Sequence, residues 1–116
     1  MKAKKDPKIF LKHILESIGE IEKNIHEMSG VKFFSSTTIQ DAVVRRLEII
    51  GEAVKNLPAE TKSKHPEIPW KQISGMRDVL IHEYAGVSLK RVWKVITDDL
   101  SPLKETALKI LKNLKE

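Results

Sequence analysis

The sequence contains no cysteine, and this absence removes several classes of protein at once. Without thiols there can be no disulfides, no thiolate zinc sites and no cysteine nucleophile. No apolar run approaches the roughly 18 residues of a membrane-spanning helix, and no signal-type apolar segment follows the basic N-terminus. We therefore expect a cytoplasmic protein that makes no use of a membrane and folds by burying a hydrophobic core.

The sequence also lacks the common phosphate-loop, dinucleotide and nucleophile-elbow motifs. His26 and Glu22 share a helical face, but one pair without further ligands does not make a metal site. We therefore expect no metal and no other cofactor. His13 falls in an apolar stripe and is interpreted as a core or interface histidine. The adjacent carboxylates Asp98 and Asp99 are interpreted as the polar end of a helix.

The length and the net charge of the chain bear on its number of domains and on its partners. A chain of 116 residues predicts a single domain over residues 1–116. The net charge of +5 favours an anionic partner such as RNA or an acidic protein. Much of the excess lies in lysines near the two ends of the chain, where solvated helix faces are the more common explanation.

Apolar residues recur with a period of about 3.6 in nearly every segment, and no segment alternates like a strand. This pattern predicts an all-α fold. A first helix is expected over residues 7–28, beginning at Asp6-Pro7 and ending at Ser29-Gly30. A second helix is expected from Ser36 or Thr37 to Leu57. It contains Gly51, which predicts the close approach of a neighbouring backbone.

A third long helix is expected over residues 70–83, after a short turn and a proline-rich breaker segment. Residues 84–87 form a connection, and Ser88 is expected to cap a fourth helix that Ser101-Pro102 breaks or kinks. The simplest arrangement is an up-down bundle of four to five helices. Its apolar stripes exceed what one small bundle must bury, which predicts a homodimer.

The end of the third predicted helix holds the candidate chemistry: Arg77, Asp78, His82 and Tyr84. A 2′-hydroxyl can cleave RNA if a group accepts its proton, another protonates the leaving 5′-oxygen, and positive charge stabilises the phosphate. His82 suits either proton role and Arg77 suits the phosphate. Asp78 would orient His82 or favour its charged form, and Tyr84 would donate to phosphate or stack on a base.

Helix geometry alone does not bring these groups together. Arg77 and His82 are five residues apart, which is about 140° around an ideal helix. One histidine also serves poorly as acid and base in the same step, so two copies facing each other would help. Structural explanations stay open as well: His82 as a charge at a helix end, Asp78 as its surface partner, and Arg77 or Tyr84 as cover for the core.

Arg77, His82 and Tyr84 have the form of the R-x4-H-x-Y signature of HepT-like toxins in the HEPN superfamily. Segments 46–53, 69–76, 87–93 and 99–103 also resemble that family in the same order, so the resemblance covers roughly residues 8–114. The chain departs from the pattern in two places. Asp78 stands where asparagine is frequent, and Ser88 stands where relatives often carry aspartate.

The resemblance implies an all-helical homodimer whose two motifs line a shared cleft. It implies a metal-independent ribonuclease with Arg77 and His82 as the catalytic pair and Asp78 at the polar position after the arginine. It further implies a toxin–antitoxin pair in which a minimal nucleotidyltransferase antitoxin transfers AMP to Tyr84. The alternatives are a non-catalytic helical partner of such a nucleotidyltransferase and a plain helical module that binds RNA or protein.

Overall fold

The protein is described here by a computed structural model that covers residues 6–83 and 89–114. Within these ranges it is helical, without a strand, which confirms the predicted all-α bundle. The elements are α1 (Pro7–Ile25), α2 (Gly30–Ser35), α3 (Thr37–Asn56), α4 (Ala59–Ser63), α5 (Trp70–Glu83), α6 (Leu89–Lys94), a π-helical turn π1 (Val95–Asp99) and α7 (Leu100–Leu114). In the part of the chain so described, no helix is both long and apolar enough to cross a membrane.

Helix α3 has the most extensive packing. It lies against both α1 and α5, and α1 also packs against α7. A lysine–glutamate pair joins Lys104 near the start of α7 to Glu22 near the end of α1 at 3.0 Å, so these two helices run in opposite directions. The core between the long helices is aliphatic and includes Leu11, Ile14, Ile18, Ile21, Val43, Leu47, Ile50, Val54, Leu103 and Ala107.

Helix α1 begins as the sequence predicts and ends earlier. The Asp6 side chain accepts a hydrogen bond from the backbone N–H of Lys8, and proline occupies the first turn. The helix stops at Ile25, and Glu27 then takes a left-handed φ of 57° that turns the chain. The prediction that Ser29-Gly30 ends this helix is wrong. Ser29 instead caps the next one by accepting from the N–H of Lys32.

That next helix, α2, is absent from the sequence-based prediction. It has only six residues, and its one buried side chain, Phe33, anchors it to the core. The buried Gln40 of α3 donates from Nε2 to the carbonyls of Phe33 and Phe34, both at 3.0 Å, and so satisfies the end of α2. Ser36 closes the junction by accepting from the N–H of Ile39 as the cap of α3.

Of the break or kink expected at Ser101-Pro102, the break is wrong, because α7 runs from Leu100 through both residues. The adjustment comes one turn earlier, in π1. Proline lacks an N–H and crowds the preceding turn, and a widened turn before it relieves both problems. In an α-helix, residues four apart are offset by about 40°, so a row of such residues would turn away from the core. The wider turn reduces this offset and keeps Val92, Ile96 and Leu100 buried together.

The interpretation of Asp98 and Asp99 as the end of a helix is wrong for the same reason, since both lie in π1. Asp98 is exposed and Asp99 is partly buried. Burial, with a smaller contribution from the neighbouring Asp98 carboxylate, raises the pKa of Asp99 above its ordinary value of 3.8, and Lys94 opposes the shift.

We expect Leu103→Ala to lower the free energy of unfolding by about 2–5 kcal/mol, because Leu103 is fully buried and its loss leaves a cavity. Leu108→Ala is the matched control on the same helix. Its side chain is 50% exposed, so the loss should stay below about 1 kcal/mol. Urea unfolding monitored by circular dichroism measures both, and equal losses would contradict the packing described for α7.

We expect Asp99→Asn to stabilise the fold at neutral pH. Because the folded-state pKa is raised, the contribution of Asp99 to stability is fully present below pH 3.8 and lost as the pH rises through the folded-state pKa. The gain from Asp99→Asn should therefore vanish below pH 3.8. Asp98→Asn should give a smaller gain, since burial is the larger cause. Urea unfolding midpoints measured at neutral pH and below pH 3.8 test this prediction. A gain for Asp99→Asn that persists in acid would refute it.

Candidate active site

Helix α5 carries most of the predicted site. It runs over Trp70–Glu83, as the sequence predicts, so the backbone positions of Arg77, Asp78 and His82 all fall in its last two turns. Asp78 is exposed to solvent. The side chains of Arg77 and His82, and the whole of Tyr84, lie outside the residues that the structure describes.

The start of α5 is fixed by contacts around the proline-rich segment that precedes it. Ile68 is buried, and the Trp70 indole Nε1 donates to the carbonyl of His65 at 2.9 Å. The N–H of Ile73 reaches the carbonyl of Pro69 at 3.0 Å and opens the helix. These contacts set the position of α5 against α3, and therefore the positions of the motif residues two turns later.

Buried residues on α5 show which side of the helix faces the core. Ile73 and Leu80 are buried and lie two turns apart, on the side that packs against α3. At about 100° per residue, position 77 lies about 40° from Ile73, whereas position 82 lies about 180° from it. The helix thus places Arg77 beside its core-facing side and His82 on the opposite side.

The side of α5 that includes position 82 is otherwise solvated. Lys71, Gly75 and Asp78 are exposed, and all three fall within about 40° of that position around the helix. Asp78 stands one turn before His82, the spacing at which a carboxylate can interact with an imidazole. Lys71, Gly75 and Asp78 therefore mark a solvated side of α5.

The remaining histidines do not form a second site. His13 is exposed between the buried positions Leu11 and Ile14, so the core alternative for this histidine is wrong and the interface alternative stays a prediction. His26 is exposed and lies 3.8 Å from Glu27, and His65 lies 3.8 Å from Glu67. Among the described residues, no three histidine or carboxylate side chains cluster as metal ligands would.

Comparison with known proteins gives these residues a context. A model of the ribonuclease HepT-like family matches residues 14–110, which include all of α5. A Thermococcus cleftensis protein named as a probable ribonuclease HepT is 45% identical over 101 residues, covering 87% of this chain and 92% of that protein. No solved structure matches the chain significantly.

Two further relatives differ in length. A Caldanaerobacter subterraneus subsp. tengcongensis protein, provisionally named an RNase, is 42% identical over 96% of this chain and 99% of its own length. A Methanocaldococcus jannaschii protein, named as a gamma-glutamylcyclotransferase and provisionally as an RNase, is 51% identical over 96% of this chain. The chain spans 50% of that relative's length. With most of its length matched by the family model and by these relatives, the chain belongs to the ribonuclease HepT-like family, within the HEPN superfamily.

Proposed function

We propose that this protein is a metal-independent ribonuclease toxin of a toxin–antitoxin pair. The observation that carries the proposal is the placement of Arg77, Asp78 and His82 in the last two turns of one continuous helix, inside the region that matches the family. The charge of +5 is favourable for an RNA substrate. The family membership supports a ribonuclease, and the resemblance of the motif supports the choice of residues.

The proposed reaction is an attack by a 2′-hydroxyl on the adjacent phosphate of RNA. A neutral His82 imidazole accepts the hydroxyl proton, and a protonated His82 from a second copy donates a proton to the departing 5′-oxygen. The Arg77 guanidinium stabilises the extra negative charge on the phosphate with its fork of donors. The products are a cyclic phosphate and a free 5′-hydroxyl.

A dimer supports this scheme. Positions 77 and 82 lie on different sides of α5, so two copies facing each other can surround one phosphodiester more readily than one copy can. The second copy is part of the proposal, since it supplies the other histidine.

We expect His82→Ala to lower the rate of RNA cleavage by about 100-fold or more, the usual range for loss of a general acid or base. His26→Ala is the matched control, because it removes an exposed histidine just after α1 and should leave the rate unchanged. Cleavage of a defined RNA by the purified proteins measures both. Retention of full activity by His82→Ala would refute the proposed role.

The same variant tests whether two copies share the site. Parent and His82→Ala chains are mixed in equal amounts, unfolded and refolded together so that subunits exchange. If each site needs both histidines, about one quarter of the parent activity should remain, whereas independent sites would leave about one half.

We further propose that a minimal nucleotidyltransferase antitoxin inactivates the toxin at Tyr84. The tyrosine hydroxyl attacks the α-phosphate of ATP, pyrophosphate leaves, and AMP becomes attached two residues after His82. A bulky anionic group there would block the cleft and repel RNA phosphate. The resemblance of the motif supports this assignment.

We expect Tyr84→Phe to abolish incorporation of labelled AMP by a nucleotidyltransferase encoded beside this protein, because the hydroxyl acceptor is gone. RNA cleavage by the variant should then no longer be suppressed by that enzyme with ATP. The same assay separates the alternative function: a parent that accepts AMP but never cleaves RNA would be a non-catalytic partner of the nucleotidyltransferase. Incorporation at the parent level in Tyr84→Phe would exclude this residue as the acceptor.

A further inference from the structure

Helix α6 has an outer side that is entirely cationic. Its buried side is formed by Val92, with Leu89 and Trp93 half-buried beside it. Lys90, Arg91 and Lys94 occupy the opposite side and are all exposed, and the helix contains no acidic residue. Half of its six residues therefore present positive charge to solvent.

Five cations elsewhere in the bundle lie close to a carboxylate. Such pairs are Lys23 with Glu20, Arg45 with Glu48, Arg46 with Glu16, Lys64 with Glu60, and Lys104 with Glu22. Over residues 6–83 and 89–114, neither Lys90 nor Arg91 forms an ion pair. Lys94 is partly balanced by Asp99. Among the described residues, Lys90 and Arg91 are thus the cations of α6 that no carboxylate neutralises.

Aromatic rings continue this surface onto α2. The Trp93 ring packs on Phe33 with centroids 5.1 Å apart, and Phe33 packs edge-on against Phe34 at 5.8 Å. Phe34 is 39% exposed. We call Phe34 of α2 and Lys90, Arg91 and Lys94 of α6 the basic–aromatic face.

We propose that the basic–aromatic face binds single-stranded RNA, with Lys90 and Arg91 on phosphates and Phe34 under a base. This inference rests on the proposed ribonuclease function and adds a substrate-holding surface outside the Arg77–His82 motif. Cations that no carboxylate pairs with among the described residues, together with an exposed ring on the neighbouring helix α2, match the phosphate and the base of a nucleotide. An acidic protein segment would use the cations and leave the ring without a role.

The chain itself keeps this face near the motif helix. Helix α5 ends at Glu83 and α6 begins at Leu89, so even a fully extended connection separates these ends by at most about 22 Å. A short RNA strand can therefore contact the basic–aromatic face and the motif helix at once. Binding outside the motif would position the scissile phosphate and raise its local concentration.

The test measures binding of a fluorescent single-stranded RNA by anisotropy over a series of salt concentrations. All proteins carry His82→Ala so that cleavage does not intervene. Lys90→Ala/Arg91→Ala should weaken binding about tenfold and lower the slope of log affinity against log salt by about 1.4, the value for two lost phosphate contacts on a single strand. Lys109→Ala/Lys112→Ala removes the same charge from exposed positions of α7 and should weaken binding less than about twofold.

A second arm addresses the ring. Phe34→Ala should weaken binding about fivefold with no change of the salt slope, because stacking releases no counterions. Val31→Ala, at a position of the same helix that is 79% exposed, is its control and should have no effect. Equal losses of binding in the two double variants would overturn the inference. So would unchanged binding in both Lys90→Ala/Arg91→Ala and Phe34→Ala, or no RNA binding by the parent. Full cleavage by His82→Ala would instead refute the motif chemistry. The binding comparison would then be made with RNA that carries 2′-O-methyl groups, which cannot be cleaved by attack of a 2′-hydroxyl.

Discussion

The packing of α3 against two long helices is the constraint on which the rest of the molecule depends. Val43, Leu47, Ile50 and Val54 are buried along α3, which lies against both α1 and α5. Removing this much aliphatic surface from water supplies the main stabilisation of a small helical domain. Because Ile73 and Leu80 of α5 belong to the same core, the position of the motif helix follows from the packing of α3.

A buried amide performs a comparable task for α2. Gln40 donates to two carbonyls at the end of that helix, those of Phe33 and Phe34, and the Phe33 carbonyl also accepts from the N–H of Ser36. These hydrogen bonds satisfy backbone oxygens where the burial of Phe33 takes the chain out of water. The Phe33 ring then supports Trp93, which belongs to α6. Two hydrogen bonds from Gln40 and two ring contacts of Phe33 thus hold α2 against α3 and α6, although these residues are far apart in sequence.

The π-helical turn shows how a local conflict is resolved by the overall packing. Pro102 would interrupt an ordinary α-helix, yet the apolar residues on both sides of it belong to one core. Widening the turn at Val95–Asp99 lets the chain continue and keeps both sides buried. The cost includes the partial burial of Asp99, whose carboxyl has a raised pKa.

The sequence by itself determined the helical class, the start of α1 at Asp6-Pro7, the span of α5 and the family, because capping residues, apolar periodicity and motif spacing are local properties. Only the tertiary structure decided that residues 30–35 form a helix, that Pro102 does not end one, and that His13 is exposed. It also brought Phe34 of α2 and the cations of α6 together through Phe33 and Trp93. Each of these features depends on which side chains from distant parts of the sequence pack in the same core. The apolar periodicity of one segment does not specify which other segments it packs against.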